Sequence, residues 1–241
     1  MIAAADAGKI NLSDYWSVGD ERVITFRNDA ITSEDNAILK ELGFETDFIY
    51  SRTLVLARAN PSEYEYVSPT EGRTFANFIV HFKECSVGEG KLDTSNLELY
   101  TSTLISTLLD KVWYENLPDY LQDSIKPVKV ICYKPPKAPY YTTRGYDIKN
   151  YRIFLPSARE VGLGNANDEP QLVKWEYYIL NSDNIYKYAP ESTLVHPWWT
   201  RSGLMRVLNG TMTTEFYIAT GDSVRLPAAT KTPHLAPAFC I

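Results

Sequence analysis

The sequence predicts an α+β domain in which helices pack on a twisted antiparallel sheet, and three observations predict it. Phe78-Ile79-Val80-His81-Phe82 alternates with the period of a strand, placing Phe78, Val80 and Phe82 on one face. Leu97, Leu104, Ile105, Leu108, Leu109 and Val112 recur at helical spacing and form one apolar stripe. Short strand candidates crowd the last part of the chain, at residues 198–201, 216–219 and 235–241.

Taken in order, residues 1–8 are Ala-rich and end in Gly, the mark of a helix end. So short a helix cannot stand alone in water. Residues 1–10 are therefore read as the end of an N-terminal helix or a stalk junction, and 11–241 as one domain. Tyr15 and Trp16 anchor a loop that gives way at Gly19-Asp20 to a first strand, residues 23–26. Residues 48–50 and 53–57 form a second strand region and 78–82 a third. Because His81 alternates with core-facing Phe residues, it is expected on the solvent face.

The long helix is expected to start at Thr94 or Ser95 as N-cap. A second, short helix starts near Pro118 and ends before Pro127. Residues 128–133 read as a strand. Pro135, Pro136 and Pro139 then remove three ladder donors, so residues 134–145 form a surface loop that presents Tyr140, Tyr141 and Arg144. A strand over 151–155 stops at Pro156, and Ser157 caps a turn containing Glu160. A polar loop, 162–170, precedes a helix over 171–180 that carries Trp175 and Tyr178.

Composition bounds the function. Of 241 residues, 44% are hydrophobic and 22% charged, enough apolar material for a core and too much for a disordered chain. The net charge of −6 and the lack of a dense Lys/Arg cluster argue against a nucleic-acid partner. No run of about 18 apolar residues is present to insert into a membrane, and no signal peptide opens the sequence. Cys85, Cys132 and Cys240 are too far apart for a dithiol or zinc motif and are expected as buried free thiols.

Catalysis is not expected. His81, His196 and His234 sit in no catalytic motif, and no pair of carboxylates is singled out among 30 acidic residues. His196 and His234, each beside a proline, read as loop or strand-edge residues. Asp168-Glu169-Pro170-Gln171 is only superficially like a calcium-binding triplet, so neither metal nor cofactor is expected. Seventeen tyrosines, by contrast, suit a recognition surface. The candidate contacts are Tyr140, Tyr141, Arg144, Tyr186, Tyr188, Met212 and Arg225, taken to lie in loops near the motif strands.

Trp198 and Trp199 are adjacent and on a strand face opposite sides. Arg201 shares a face with Trp199, where its guanidinium can pair with Glu160. A partly buried structural ion pair is the expected result.

Four segments, Tyr15-Trp16-Ser17-Val18-Gly19-Asp20, residues 153–161 (IFLPSAREV), Trp198-Trp199-Thr200-Arg201-Ser202 and Ala236-Pro237-Ala238-Phe239-Cys240-Ile241, occur here in a fixed order. This pattern resembles a domain family of gut bacteria and their phages that is known only as a domain of unknown function. The resemblance implies a C-type-lectin-like fold of the formylglycine-generating-enzyme-like branch, with two helices packed on short, curled antiparallel sheets. It also implies that the strands carrying Trp198 and Phe239 share the central sheet. The function expected from it is that of a phage virion surface protein, a tail-fibre or head-fibre tip. Such a tip binds a bacterial cell-surface glycan or protein, contacts other virion proteins and assembles as a homotrimer. A structural capsid or baseplate decoration domain without ligand, or a bacterial adhesin, is the alternative.

Overall fold

The computed structural model describes residues 15–27, 29–44, 51–68, 72–86, 89–94, 100–134, 145–163, 172–190, 192–208, 211–220, 223–227 and 233–241. They form a mixed α and β structure with few, short helices and several small antiparallel sheets. The expected helix end at residues 1–10 lies outside the described residues.

The largest sheet contains β1 (Glu21–Thr25), β2 (Ser51–Ala59), β5 (Phe78–Phe82), β14 (Ala238–Cys240) and β8 (Ile153–Phe154), in the order β1-β2-β5-β14-β8. Every pairing in it is antiparallel. Of the two aromatics expected to anchor the loop before β1, Trp16 packs inward and Tyr15 is 57% exposed. Trp16 meets Phe78 edge-on at 5.9 Å, Gly19 adopts φ +94°, and Asp20 Oδ2 accepts from Ser17 N at 3.0 Å.

All five positions of β5 are buried, which corrects the expectation for His81. A strand covered on both faces has no solvent side. Its Nε2 lies 2.8 Å from the Ala236 carbonyl oxygen and its Nδ1 2.7 Å from Tyr178 Oη. A carbonyl can only accept, so Nε2 carries the proton and Nδ1 accepts from the tyrosine. Burial, with the nearby Lys187 ammonium, pushes the imidazole pKa well down and keeps the ring neutral.

Helix α1 (Ser33–Leu42) is an element the sequence reading passed over. Thr32 Oγ1 accepts from Asp35 N at 3.1 Å at its start, and Gly43 ends it in the left-handed conformation at φ +95°. Thr32→Ala is expected to cost about 1 kcal/mol, read as a lower denaturant midpoint.

Helix α2 (Leu104–Leu108) runs on through a π turn at Leu109–Trp113 into α3 (Tyr114–Asn116). Its cap is Thr103, whose Oγ1 accepts from Ser106 N at 3.3 Å, and not Thr94; Ser95 and Leu97 lie outside the described residues. Tyr100–Ser102 is already committed to a 3₁₀ turn, and Asp93 Oδ2 accepts from Leu104 N at 2.7 Å, which together start the helix later. Ile105, Leu108, Leu109 and Val112 form the buried stripe. Helix α4 (Asp119–Gln122) follows Pro118. Helix α5 (Glu176–Leu180) is shorter than the 171–180 expected, because Trp175 N donates to Glu160 O at 2.8 Å and holds the preceding chain out of the helix. The expected pair of helices is thus a larger set of short ones.

Smaller sheets complete the fold: β3 (Glu65–Ser68) with β4 (Gly72–Phe75), β6 (Val128–Lys134) with β7 (Gly145–Tyr151), and β9 (Lys187–Tyr188) with β10 (Val195–His196). A three-stranded sheet runs β11 (Trp198–Leu208), β12 (Thr211–Ala219), β13 (Ser223–Pro227). The tryptophan strand and the C-terminal strand are therefore in different sheets, against the expectation. Both sides of β14 are taken by β5 and β8, so no edge remains for β11. The two sheets are tied instead by a parallel bridge between Trp198 and His234.

Trp198 and Trp199 are both fully buried. Trp198 Nε1 donates to Ile185 O at 3.0 Å and Trp199 Nε1 to Gly90 O at 2.8 Å, so each indole is packed and hydrogen-bonded. Phe239 packs edge-on against Phe82 at 6.2 Å. All three cysteines are buried and none is in a disulfide, and burial pushes the Cys85 thiol up to about 12.

Candidate functional site

Arg201 and Glu160 form an ion pair that is completely buried, more so than expected. The fork geometry is two-pronged, Nη1 to Oε2 at 2.7 Å and Nη2 to Oε1 at 2.8 Å. Arg201 also donates from Nε to Ile131 O at 3.1 Å, from Nη1 to Leu155 O at 2.7 Å and from Nη2 to Tyr64 Oη at 3.3 Å. All five guanidinium hydrogens are thereby used. Glu160 accepts further from Ser157 N at 2.7 Å and from Tyr64 Oη, while Ser157 Oγ accepts from Glu160 N at 3.1 Å. This reciprocal pair is a capping box on the turn after Pro156. No lone pair of the site faces solvent, so its chemistry is structural: it locks β11 to the 155–160 turn and to β6.

A separate surface cleft of about 500 Å³ is lined by Lys83, Glu84, Tyr177, Asn181, Asp183, Asn184, Tyr186, Tyr188, Ala189, Pro190 and Ser192. The strand period builds it. Tyr186 and Tyr188 point outward, 42% and 44% exposed, while Lys187 between them points inward and is buried. Asn184 Nδ2 donates to Tyr177 O at 2.7 Å and Asn181 Oδ1 accepts from Asp183 N at 3.0 Å, which fixes the 3₁₀ turn Ser182–Ile185 along one wall. Tyr177 is mostly buried, and burial pushes its hydroxyl up to about 12, so it presents a neutral donor.

Beneath the tyrosines, Lys187 Nζ donates to Phe82 O at 2.7 Å and Lys83 O at 3.1 Å, and lies 5.5 Å from the centre of the Trp198 ring. Burial lowers its pKa to about 7. A neutral amine has two hydrogens, enough for those two carbonyls, so the amine form is well accommodated.

At the Ser192 end of the cleft stand three residues that the sequence reading left apart, Glu89, His196 and His234. One possible ligand atom from each lies within 4.8 Å of the others. The imidazole centres are 4.3 Å apart, and Glu89 Oε1 is 3.7 Å from His234 Nε2. Ser192 Oγ is 3.0 Å from His196 Nε2, and His234 Nδ1 is 2.6 Å from Ser86 O. Thirty-eight positions separate the histidines, so no motif joins them; the only hint was a proline beside each, His196-Pro197 and Pro233-His234.

Of the seven contacts proposed from sequence, the structure brings Tyr186 and Tyr188 into one site. Met212 and Arg225 lie in strands and not in loops: Met212 is opposite Val207 in the β11–β12 ladder and Arg225 opposite Tyr217 in the β12–β13 ladder. Backbone pairing over residues 211–219 and 223–227 extends the sheet beyond the short strand at 216–219 that was expected. Tyr140, Tyr141 and Arg144, and the acidic stretch at Asp168, are outside the described residues. No described helix is long and apolar enough to cross a membrane.

A family described as a domain of unknown function (DUF6273) matches residues 81–241, about two thirds of the chain, from His81 of β5 through β14. The cleft, the buried ion pair except Tyr64, and the Glu89, His196 and His234 cluster all fall in the matched stretch. No curated protein and no solved structure matches the chain.

Proposed function

We propose, for a chain that belongs to the DUF6273 family, that it is a non-catalytic binding module with a C-type-lectin-like fold, carried on a phage virion as a tail-fibre or head-fibre tip, and that it binds a bacterial cell-surface glycan. The observation that carries the binding role is the cleft in which Tyr186 and Tyr188 stand outward beside Asp183, Asn184 and Glu84. Aromatic faces offer apolar area to the C–H face of a sugar ring, and carboxylates and amides pair with its hydroxyls. The lining is mainly polar, with Tyr177, Tyr186 and Tyr188 as its aromatic part, a composition that suits a hydroxyl-rich ligand better than an apolar one. The four-segment resemblance supports the lectin-type fold and the phage setting, in which other virion proteins and further copies of the chain are partners.

The wall is preorganised. Asn181 and Asn184 hold the turn, and the alternation of β9 is fixed by Lys187 beneath it. Little conformational entropy is lost when a ligand lands on such a surface.

Tyr186→Ala and Tyr188→Ala are each expected to weaken binding to the cognate polysaccharide by about tenfold or more, the scale of a truncated aromatic anchor. Both side chains are substantially exposed, so stability should move by no more than about 0.5 kcal/mol. The measurement is an array of bacterial surface polysaccharides followed by titration calorimetry on any hit. A chain that binds no glycan and no cell envelope belongs to the spacer class, a capsid or baseplate decoration, and the binding role is then lost.

A further inference from the structure

We propose that Glu89, His196 and His234 form a binding site for a borderline first-row divalent cation of the zinc type. No metal is expected from the sequence. The proposal stands on the geometry of the three side chains and does not rest on the glycan reading.

His234 carries the argument. It is 3% exposed, and its Nε2 is buried without a hydrogen-bond partner. Its Nδ1 lies 2.6 Å from the Ser86 carbonyl oxygen. A carbonyl only accepts, so Nδ1 carries the hydrogen and Nε2 is left with its lone pair. An imidazole whose far nitrogen donates to a backbone carbonyl is the arrangement that orients metal-ligating histidines. A buried lone pair without a donor is costly, and a cation would satisfy it.

The other two donors complete a set that suits such an ion. The carboxylate of Glu89 is 3.7 Å from that Nε2 and the ring of His196 is beside it, held at one nitrogen by Ser192 Oγ. Two imidazoles and one carboxylate are a recurring set for zinc and related ions, whereas calcium and magnesium prefer oxygen throughout. The Glu89 side chain is 53% exposed, so the site opens to solvent and keeps room for water or a ligand group in a fourth position.

Backbone bonds hold the three segments together before any ion arrives. His234 N donates to Pro197 O and Trp199 N to His234 O, both at 2.9 Å, flanking His196 and His234. Gly90 N, next to Glu89, donates to Pro233 O at 3.2 Å, and Gly90 O accepts from the Trp199 indole. The ligand spacing is thus set by the core and not by loop chance.

The test uses the full chain, stripped with a chelator and titrated with zinc chloride by calorimetry, and separately with cobalt(II) for its visible absorption. One equivalent bound with micromolar or tighter affinity, a cobalt spectrum of four- or five-coordinate intensity, and a raised melting temperature are expected. Glu89→Gln and His196→Gln are each expected to weaken zinc binding by about tenfold or more, a typical cost at metal sites, with an unchanged circular dichroism spectrum. Both avoid the buried His234, whose removal disturbs packing. No binding by the folded wild-type chain, or zinc binding that both variants retain, overturns the proposal.

Discussion

Arg201→Ala is expected to destabilise the fold by about 3 to 5 kcal/mol, the usual cost of leaving one member of a buried pair without its partner. The Glu160 carboxylate would stay fully buried, still accepting from Ser157 N and Tyr64 Oη but with both guanidinium bonds gone. The carbonyls of Ile131 and Leu155 would lose their Arg201 donors as well. Arg201→Lys should recover little, because an ammonium cannot reproduce the planar fork on Oε1 and Oε2. Replacing both residues, with Arg201→Met and Glu160→Leu, should cost less than the sum of the single changes, since no orphan charge remains. Urea titrations of wild type, Arg201→Ala, Arg201→Lys, Arg201→Met, Glu160→Leu and the double variant decide it. An Arg201→Ala midpoint equal to wild type would show that the pair contributes nothing.

Lys187 should make stability rise with pH from about 7 to about 9, by roughly 2 kcal/mol if its pKa is near 7 when folded. The sign follows from burial. The folded pKa lies below the ordinary 10.5, so between about 7 and 10.5 the unfolded chain binds more protons than the folded one. Raising pH in that window therefore favours folding; below it the cost of the buried ammonium is fully present, and above it the cost has vanished. The groups facing the amine are the Cys85 thiol, Glu84, Lys83 and the neutral His81. Lys187→Met, with a similar length and no charge, should flatten the slope. Denaturant midpoints taken in chelator across that range test it, and a wild-type slope that survives in the methionine variant sinks the assignment.

Local signals carried much of the fold. Period two at residues 78–82, the stripe from Ile105 to Val112, Pro118 at a helix start and the Ser157 and Glu160 capping box all correspond to elements in the structure. The face of His81 was misread because alternation implies a solvent side only for a half-covered strand, and β5 is covered twice. The start of the long helix moved because Thr103 and Thr94 carry the same capping side chain, and only the Asp93 contact to Leu104 N separates them. Helix α1 had caps at both ends, Thr32 and Gly43, but a weak apolar face.

The cleft was half legible. Tyr186 and Tyr188 were named for their type and position, but what aligns them is Lys187 anchored to carbonyls of β5 and the residue after it, about a hundred positions away. The histidine cluster was not legible at all, since it depends on a bridge between Trp198 and His234 that joins two sheets. Side chains that converge through tertiary pairing leave no mark in spacing.

The order β1-β2-β5-β14-β8 also bears on how the chain reaches this state. Residues 238–240 lie between strands from 78–82 and 153–154, so the middle of the main sheet stays open until those residues pair. Partners so distant in sequence slow the search for the native arrangement and lengthen the time for which apolar strand edges are bare. The main sheet should therefore close late in folding, only once residues 238–240 meet both of their neighbours.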